Sequence, residues 1–376
     1  MDIYVLTRAG IEEIAASEVE ELGCKVEYFD IGIVKAKGNI RDVIRLNIYG
    51  RTFVRVLLGV CEGELNELND IVKQVSNIDF KTYFKEDYSF AVRCNRIGKH
   101  NFTSIDAARE VGGIIHKQLL NAKMNVKVDL ENPTIEFILR IYHNKFHLGI
   151  DTSGKSLDKR GYRVYNHPAA LNPVLASAMI KLLKWDGKKV LIDPMCGGAT
   201  IPIEAVMSIL KYAPGLYRNI HPIVNIPFVS KDEYLKIREE ALKARVNSDL
   251  EIAYAIDISN KHLTGAIKNA ESAGVKNNIR FMLGDATKLS NYIEKGEYFF
   301  AFNPPYGIRE SKLKNLLKLY KETLSELIKI GAFKGAIITA ATNVLEKAIN
   351  DLKIKVIERK NVMHGDLKAS IYILEI

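Results

Sequence analysis

Val190-Leu191-Ile192-Asp193-Pro194-Met195-Cys196-Gly197-Gly198-Ala199-Thr200 runs an apolar segment into a carboxylate, a glycine pair and a hydroxyl residue. The apolar residues read as a buried strand, the glycines as a tight turn, and the chain from about Thr200 as a helix. A strand, a glycine turn and a helix N-terminus in succession make a pocket at the carboxyl end of a parallel strand. The turn lacks the G-x-G-x-x-G spacing that lets a pyrophosphate approach the backbone. With Asp193 ahead of the glycines and backbone N–H groups after them, it suits a ligand that carries both an ammonium and a carboxylate. Taken singly, Asp193 also reads as a strand-end cap and Gly197-Gly198 as an ordinary βα turn. The fold class this implies for the C-terminal part is α/β, a doubly wound Rossmann-like sheet.

Three more strand ends follow in order. Asp257 ends the alternating run that begins at Ala253 and stands where it can accept from ribose hydroxyls, with Ile258 beside it. It follows Gly198 by 59 positions, whereas a simple nucleotide site places its acid about 20 residues on. An insertion accounts for the difference: 212–230 reads as irregular loop and 231–245 as a charged helix, which contacts substrate or covers the sheet. Asp285, with Ala286 after it, ends the next strand and can accept from an adenine amino group or cap the short helix that follows. S-adenosylmethionine has the ammonium, carboxylate, ribose and adenine that such a row of groups would meet. Finally, the apolar run 297–302 leads into Asn303-Pro304-Pro305-Tyr306-Gly307. An amine on an sp2 carbon is a poor nucleophile because its lone pair is delocalised, so a catalyst must orient it and accept its protons. The Asn303 oxygen and the Pro304 carbonyl can each take one N–H, the prolines fix φ, and Tyr306 offers a ring face for a planar base. The plainer reading of these five residues is a turn after a strand.

Asp193 to Thr200, Asp257, Asp285 and Asn303 to Gly307, with Lys159 to Arg163 and Asn166 to Leu171, carry a family resemblance. The second half resembles the class I S-adenosylmethionine-dependent methyltransferases. The whole chain resembles the THUMP-domain RNA methyltransferases that make N2-methylguanosine, and among them the archaeal tRNA branch that acts on position 6 in the acceptor stem. The resemblance implies S-adenosylmethionine as cofactor, tRNA as partner and a catalytic loop of Asn303, Pro304, Pro305 and Tyr306. It implies cofactor contacts from Asp193, Pro194, Met195, Cys196, Gly197, Gly198, Ala199, Thr200, Asp257, Ile258, Asp285, Ala286 and Asn303. It also implies a terminal antiparallel strand on the parallel sheet. The same four-residue loop serves enzymes that methylate adenine in DNA or glutamine in protein. Ribosomal RNA is a further possible substrate, and an RNA-binding protein with a degenerate catalytic half is the non-enzyme alternative.

The first half reads as an α+β accessory region. Residues 1–61 follow a β-α-β-β-α-β order, the ferredoxin-like split pattern. Residues 62–151 resemble the THUMP domain, 152–167 form a basic linker, and 168–376 form the methyltransferase domain. In the THUMP part, the loop around Arg96 and Lys99 is the expected RNA contact, or else a surface turn. The net charge is +9 and it is uneven: residues 1–150 hold 20 Lys and Arg against 21 Asp and Glu, and 151–376 hold 34 against 24. A basic catalytic half is the footprint of a phosphate-backbone partner. Arg160 and Arg163, with Tyr162 and Tyr165 interleaved, could track a nucleic acid strand or belong to a solvated connector. Arg309 and Lys312 open a helix expected over 308–331, close to the substrate entrance. Residues 362–368 read as a polar loop of unknown role. The four cysteines form no C-x-x-C pair, so no metal and no disulfide framework is expected. Nothing approaches a spanning apolar stretch and the N-terminus has no signal-peptide pattern, so a cytoplasmic protein with no membrane partner, expected to be a monomer, is implied.

Overall fold

The computed structural model describes residues 1–307 and 313–376, the side chains of Leu313 and Lys314 excepted. Two compact units divide the chain. The first comprises Met1–Leu6, Ala16–Leu157 and Arg218–Glu240, and the second comprises Thr7–Ala15, Asp158–Tyr217 and Ala241–Ile376.

The elements β1 (Asp2–Leu6), α1 (Glu12–Glu21), β2 (Lys25–Asp30), β3 (Ile33–Lys37), α2 (Ile40–Tyr49) and β4 (Arg55–Glu64) keep the expected split order. They are followed by α3 (Leu68–Ser76), β5 (Ser89–Ile97), α4 (Ser104–Asn121), β6 (Lys127–Val128), β7 (Ile135–Tyr142) and β8 (Lys145–Asp151). Helix starts are written into the sequence. The Asn39 side chain accepts from the Asp42 N–H and Asp42 answers on the Asn39 N–H, and Thr103 and Asp106 repeat the device on α4. All eight strands form one sheet in the order β2-β3-β1-β4-β8-β7-β5-β6. The long strand β4 pairs with β1 on one edge and with β8 on the other, so the two accessory regions share a strand.

The second unit contains α5 (Pro173–Leu183), β9 (Leu191–Asp193), α6 (Thr200–Ile209), β10 (Ala253–Asp257), α8 (Asn260–Ala273), β11 (Ile279–Leu283) and β12 (Tyr298–Phe302). It continues through α9 (Leu313–Ile330), β13 (Ala332–Thr339), α10 (Thr342–Leu352), β14 (Lys355–His364) and β15 (Leu367–Glu375). The helix of the insertion, α7 (Lys231–Lys243), lies mostly in the first unit. The sheet order is β11-β10-β9-β12-β13-β15-β14. Strands β9 to β13 are parallel, and β15 runs antiparallel between β13 and β14. The order turns between β9 and β12, which is where an open α/β sheet binds its ligand. Both faces are covered, so the strands are apolar throughout: Leu191, Ile192, Phe300 and Ala301 have no exposed surface.

One expectation changes here. Residues 362–368 are not a polar loop, because β14 and β15 extend to His364 and Leu367, which pair across a turn of only Gly365 and Asp366. A two-residue turn with a glycine at positive φ is an ordinary hairpin connection.

The segment Thr7–Ala15 belongs to the second unit by its contacts. Ile11 and Ile14 join that unit's core, the Met363 N–H donates to the Ala9 carbonyl at 3.1 Å, and Lys360 pairs with Glu13 at 2.6 Å. Gly10 lies at φ +97, where an added Cβ would stand 1.9 Å from the Asn361 carbonyl oxygen. Gly10→Ala should therefore destabilise the fold by about 2 kcal/mol, through a strained φ and a clash with backbone. Differential scanning calorimetry would show this as a lowered Tm, and an unchanged Tm would contradict the packing described.

Candidate active site

The carboxyl ends of β9, β10, β11 and β12 open onto one cavity of about 850 Å³ in the second unit. It is lined from β9 and its turn by Asp193, Pro194, Met195, Cys196, Gly197, Gly198 and Thr200, and from β10 by Asp257 and Ile258. Asp285 and Ala286 after β11, and Asn303 to Gly307 after β12, complete that wall. Four sequence signals spread over more than a hundred residues thus face one space. Of the residues expected to touch a cofactor, Ala199 does not line the cavity. It is buried with φ +57, and it sets the chain direction into α6.

Several features of the turn match an ammonium and a carboxylate. Asp193 is 2 % exposed and accepts from the Met195 N–H at 3.1 Å. Among the described residues no cation pairs with it. Burial raises its carboxyl well above the ordinary range, the Met195 bond opposes this, and the charge of Asp257 adds to it. A buried carboxylate with no cation beside it is a charge imbalance that a ligand ammonium relieves. No side chain caps α6, so the backbone N–H groups of its first turn are left for an anionic group. Gly197 sits at φ +53, and a Cβ there would press on the His167 ring at 3.3 Å. Asp257 does more than end a strand. One oxygen accepts from the Gly197 N–H at 2.9 Å and the other from the Ser259 N–H at 2.8 Å, so this acid also braces the glycine turn. Asp285 accepts from Thr287 N–H and Oγ1, which caps the short helical turn and holds the carboxyl below the ordinary range. It faces the cavity as well, so the two readings of this residue coexist. Ile258 is 76 % exposed at the cavity wall.

The Asn303 loop is held from behind. The Tyr320 hydroxyl of α9 donates to the Pro305 carbonyl at 2.9 Å and lies 3.0 Å from Thr339 Oγ1. The Tyr306 hydroxyl donates to Asn303 Oδ1 at 2.7 Å and stands 3.0 Å from Nδ1 of His364. Burial pushes the Tyr306 phenol well above its ordinary range, so it stays protonated.

The basic residues expected to meet RNA are placed differently. Arg160 is not a surface group. It is 6 % exposed, and its Nε donates to Glu204 at 3.0 Å while Tyr162 and Ser177 donate to the same carboxylate at 2.9 Å. Arg160 and Tyr162 therefore anchor the segment rather than track a strand. A buried carboxylate needs such donors, and the basic run masked a core ion pair. Arg160→Ala should cost about 3 kcal/mol of stability by stranding Glu204. Chemical denaturation would read this as a lower midpoint, and unchanged stability would return Arg160 to the candidate RNA contacts. Arg163 is half-buried. In the first unit, Lys99 is exposed, whereas Arg96 donates to the Gly98 carbonyl and contacts His100, which shapes the loop. Arg309 and Lys312 lie outside the described residues.

His167 and Leu171, from the Asn166-to-Leu171 segment that carries the resemblance, also line the cavity, and so do His364, Gly365 and Leu367, to which the sequence assigns no role. Asn269 of α8 accepts from the Tyr165 N–H and donates to the Gly198 carbonyl at 3.0 Å, tying the segment before α5 to the glycine turn. The signal for Asn269 was an amide on the buried face of a helix. The signal for His364 was the Gly365-Asp366 pair, which marks a hairpin and so gives the histidine a fixed facing. Among the described residues no cluster could hold a metal ion and no helix is long and apolar enough to cross a membrane.

Comparison with known proteins adds independent findings. Residues 160–370 match the RMKL-like methyltransferase domain, residues 66–151 the THUMP domain, and residues 2–57 the RlmL ferredoxin-like domain. A Methanocaldococcus jannaschii tRNA (guanine(6)-N2)-methyltransferase is 36 % identical, with 100 % of both chains covered. An Archaeoglobus fulgidus protein of the same description is 33 % identical over 99 % of this chain and 92 % of its own. The crystal structure of a possible methylase from Clostridium difficile 630 superposes with a TM-score of 0.89 at 27 % identity, covering 100 % of this chain and 97 % of that one.

Proposed function

From the premise that this chain belongs to the RMKL-like methyltransferase family, with THUMP and ferredoxin-like domains in its first half, we propose that it makes N2-methylguanosine at position 6 in the acceptor stem of tRNA. It is an S-adenosylmethionine-dependent methyltransferase. The observation that carries the reading is the meeting of Asn303-Pro304-Pro305-Tyr306 and the Asp193-to-Thr200 turn in one cavity. The two full-length relatives described as tRNA guanine N2-methyltransferases support the choice of substrate.

S-adenosylmethionine, when bound, supplies a methyl group already activated by its sulfonium. Asp193 would hold the ammonium, the first turn of α6 the carboxylate, Asp257 the ribose hydroxyls and Asp285 the adenine amino group, with Ile258 as a further contact. Asn303 Oδ1 and the Pro304 carbonyl then accept the two N2–H groups of a guanine taken out of its stack. This aims the nitrogen lone pair and supports the positive charge that grows on N2 as its new bond forms. The surplus proton leaves along the hydrogen bond at Asn303 to solvent. Tyr306 presents its ring to the base. Lys99 and Arg163 are the basic residues proposed to meet the RNA backbone, with Arg96 shaping the loop that carries Lys99. We assign residues 1–61, 62–151, 152–167 and 168–376 as the ferredoxin-like, THUMP, linker and methyltransferase regions, and the protein as a monomer in the cytoplasm.

Mass spectrometry of nucleosides from unmodified tRNA, after incubation with the protein and labelled S-adenosylmethionine, tests the proposal. The expected product is N2-methylguanosine mapped to the acceptor stem. Label in ribosomal RNA, DNA or protein, with none in tRNA, would overturn it.

A further inference from the structure

Gly265 is not glycine for the sake of its backbone. It lies inside α8 without a positive φ, where glycine is among the least favourable residues for the helix. The space it leaves is occupied: an added Cβ would stand 2.3 Å from the Tyr165 ring, so the missing side chain forms a notch in which that ring is seated. His262 and Asn269, three residues before and four after, share this face of the helix. The Tyr165 hydroxyl lies 2.7 Å from His262 Nδ1. Asn269 grips the Tyr165 backbone on both sides, accepting from its N–H at 2.8 Å and donating to its carbonyl at 3.1 Å. The same amide donates to the Gly198 carbonyl at 3.0 Å, so it ties the seat to the glycine turn.

The seated residue governs the segment that follows it. His167, Pro168, Ala169, Ala170 and Leu171 line the cavity together with Gly197 and Gly198. His167 lies over that turn: a Cβ at Gly197 would come within 3.3 Å of its ring, and one at Gly198 within 3.5 Å of its Cβ. Its ring also packs edge-on against His262, with centroids 4.3 Å apart. Gly197, Gly198 and Gly265 thus form one bed, free of side chains, for Tyr165 and His167. Downstream the segment is fixed at Asn172, whose Oδ1 accepts from the Val174 N–H at the start of α5 and whose Nδ2 donates to Asp158 at 2.8 Å. Pro168 and Ala169, between the two anchors, are exposed. A short segment held at both ends is already ordered when a ligand arrives. Released at one end, it must be ordered by the ligand, at a cost in affinity.

We propose that Tyr165 is a positioning residue for S-adenosylmethionine: seated in the Gly265 notch and gripped by Asn269, it holds the segment from His167 to Leu171 as a wall of the cofactor site. Tyr165 lies outside the cavity lining, so it acts through that segment and not by contact. The proposal rests on the cavity being the cofactor site and is independent of which nucleic acid is methylated. It also accounts for both tyrosines interleaved in the basic run, since Tyr162 bonds Glu204 and Tyr165 occupies the notch.

Titration calorimetry of the full chain with S-adenosylmethionine, well below the Tm of each variant, tests this. Gly265→Ala removes the seat but improves the helix, so it should raise the cofactor Kd about tenfold while the Tm without cofactor stays near that of the wild type. Tyr165→Ala should weaken binding to the same extent. In that background Gly265→Ala should change the affinity no further and should raise the Tm, because the added Cβ then displaces nothing. Tyr165→Phe, which keeps the ring, should recover most of the affinity lost in Tyr165→Ala. Wild-type affinity in Gly265→Ala or in Tyr165→Ala would overturn the proposal, and a lowered Tm beside it would show that the ring only packs. Losses that multiply in the double variant would overturn it too, since notch and ring would then act separately. A wild-type chain that bound no S-adenosylmethionine would instead refute the cofactor site itself.

Discussion

Asn303→Ala should lower kcat for tRNA methylation about a thousandfold, roughly 4 kcal/mol, while the Kd for S-adenosylmethionine stays within a few-fold. The asymmetry follows from where the residue stands. In the proposed site the ammonium and carboxylate of the cofactor would meet the turn after β9, whereas Asn303 lines the cavity from β12, across the switch point of the sheet. Its oxygen matters most when the attacking nitrogen turns positive, so its removal is felt in the transition state more than in either bound ligand. Alanine also removes one of the two partners of the Tyr306 hydroxyl, but Tyr320 still holds the Pro305 carbonyl, so the loop should keep its course. Single-turnover rates at saturating cofactor, set beside a calorimetric titration, separate the two quantities. Weak cofactor binding with a normal rate at saturation would show that Asn303 belongs to the cofactor site and not to the chemistry.

The contrast between Asn303 and Arg160 shows which parts of this molecule are legible in its sequence. Asn303 is readable because an amide, two prolines and an aromatic at a strand end is a combination that packing alone does not require. The glycine turn is readable for the same reason: only a backbone at positive φ beside His167 needs Gly197. Strand ends in a parallel sheet converge by topology, so local signals in the right order were enough to assemble the cavity. Arg160 failed because its meaning depends on Glu204, which is 44 residues away and looks like any acid on an amphipathic helix. Asp257 is only half legible. Its place at a strand end was visible, but its bond to the Gly197 N–H could not be inferred from residues 60 positions apart. His364 is not legible because a hairpin with a two-residue turn, at the end of a run of mixed polarity, resembles a loop until its register is known. Strand β4 poses the same problem on a larger scale, since pairing with β1 on one edge and β8 on the other is a long-range property.

Asp193→Ala should weaken S-adenosylmethionine binding about a thousandfold, roughly 4 kcal/mol, because it leaves a ligand ammonium buried with no counter-charge. The wild-type site contains the reverse imbalance. Asp193 is buried beside a second acid, with one backbone N–H as its donor and no cation among the described residues. Its folded pKa lies above the unfolded value, so ionised Asp193 works against the fold without ligand, increasingly as pH rises above the ordinary carboxylate range. On the proposed reading the ligand's ammonium would supply the missing charge and bring that pKa down, so binding should release a proton. Affinity should therefore fall as pH is lowered toward the range where Asp193 is protonated, and the cofactor should raise the Tm more at pH 8 than at pH 6. Asp193→Asn separates charge from shape. It should lose the pH dependence and most of the affinity, yet be at least as stable as the wild type without ligand, since an amide is cheaper to bury than an unpaired carboxylate. Titration calorimetry at several pH values in buffers of different ionisation enthalpy measures both the affinity and the proton released. Equal affinity in the wild type and in Asp193→Asn, with no proton released by either, would mean that the ammonium is held elsewhere in the cavity.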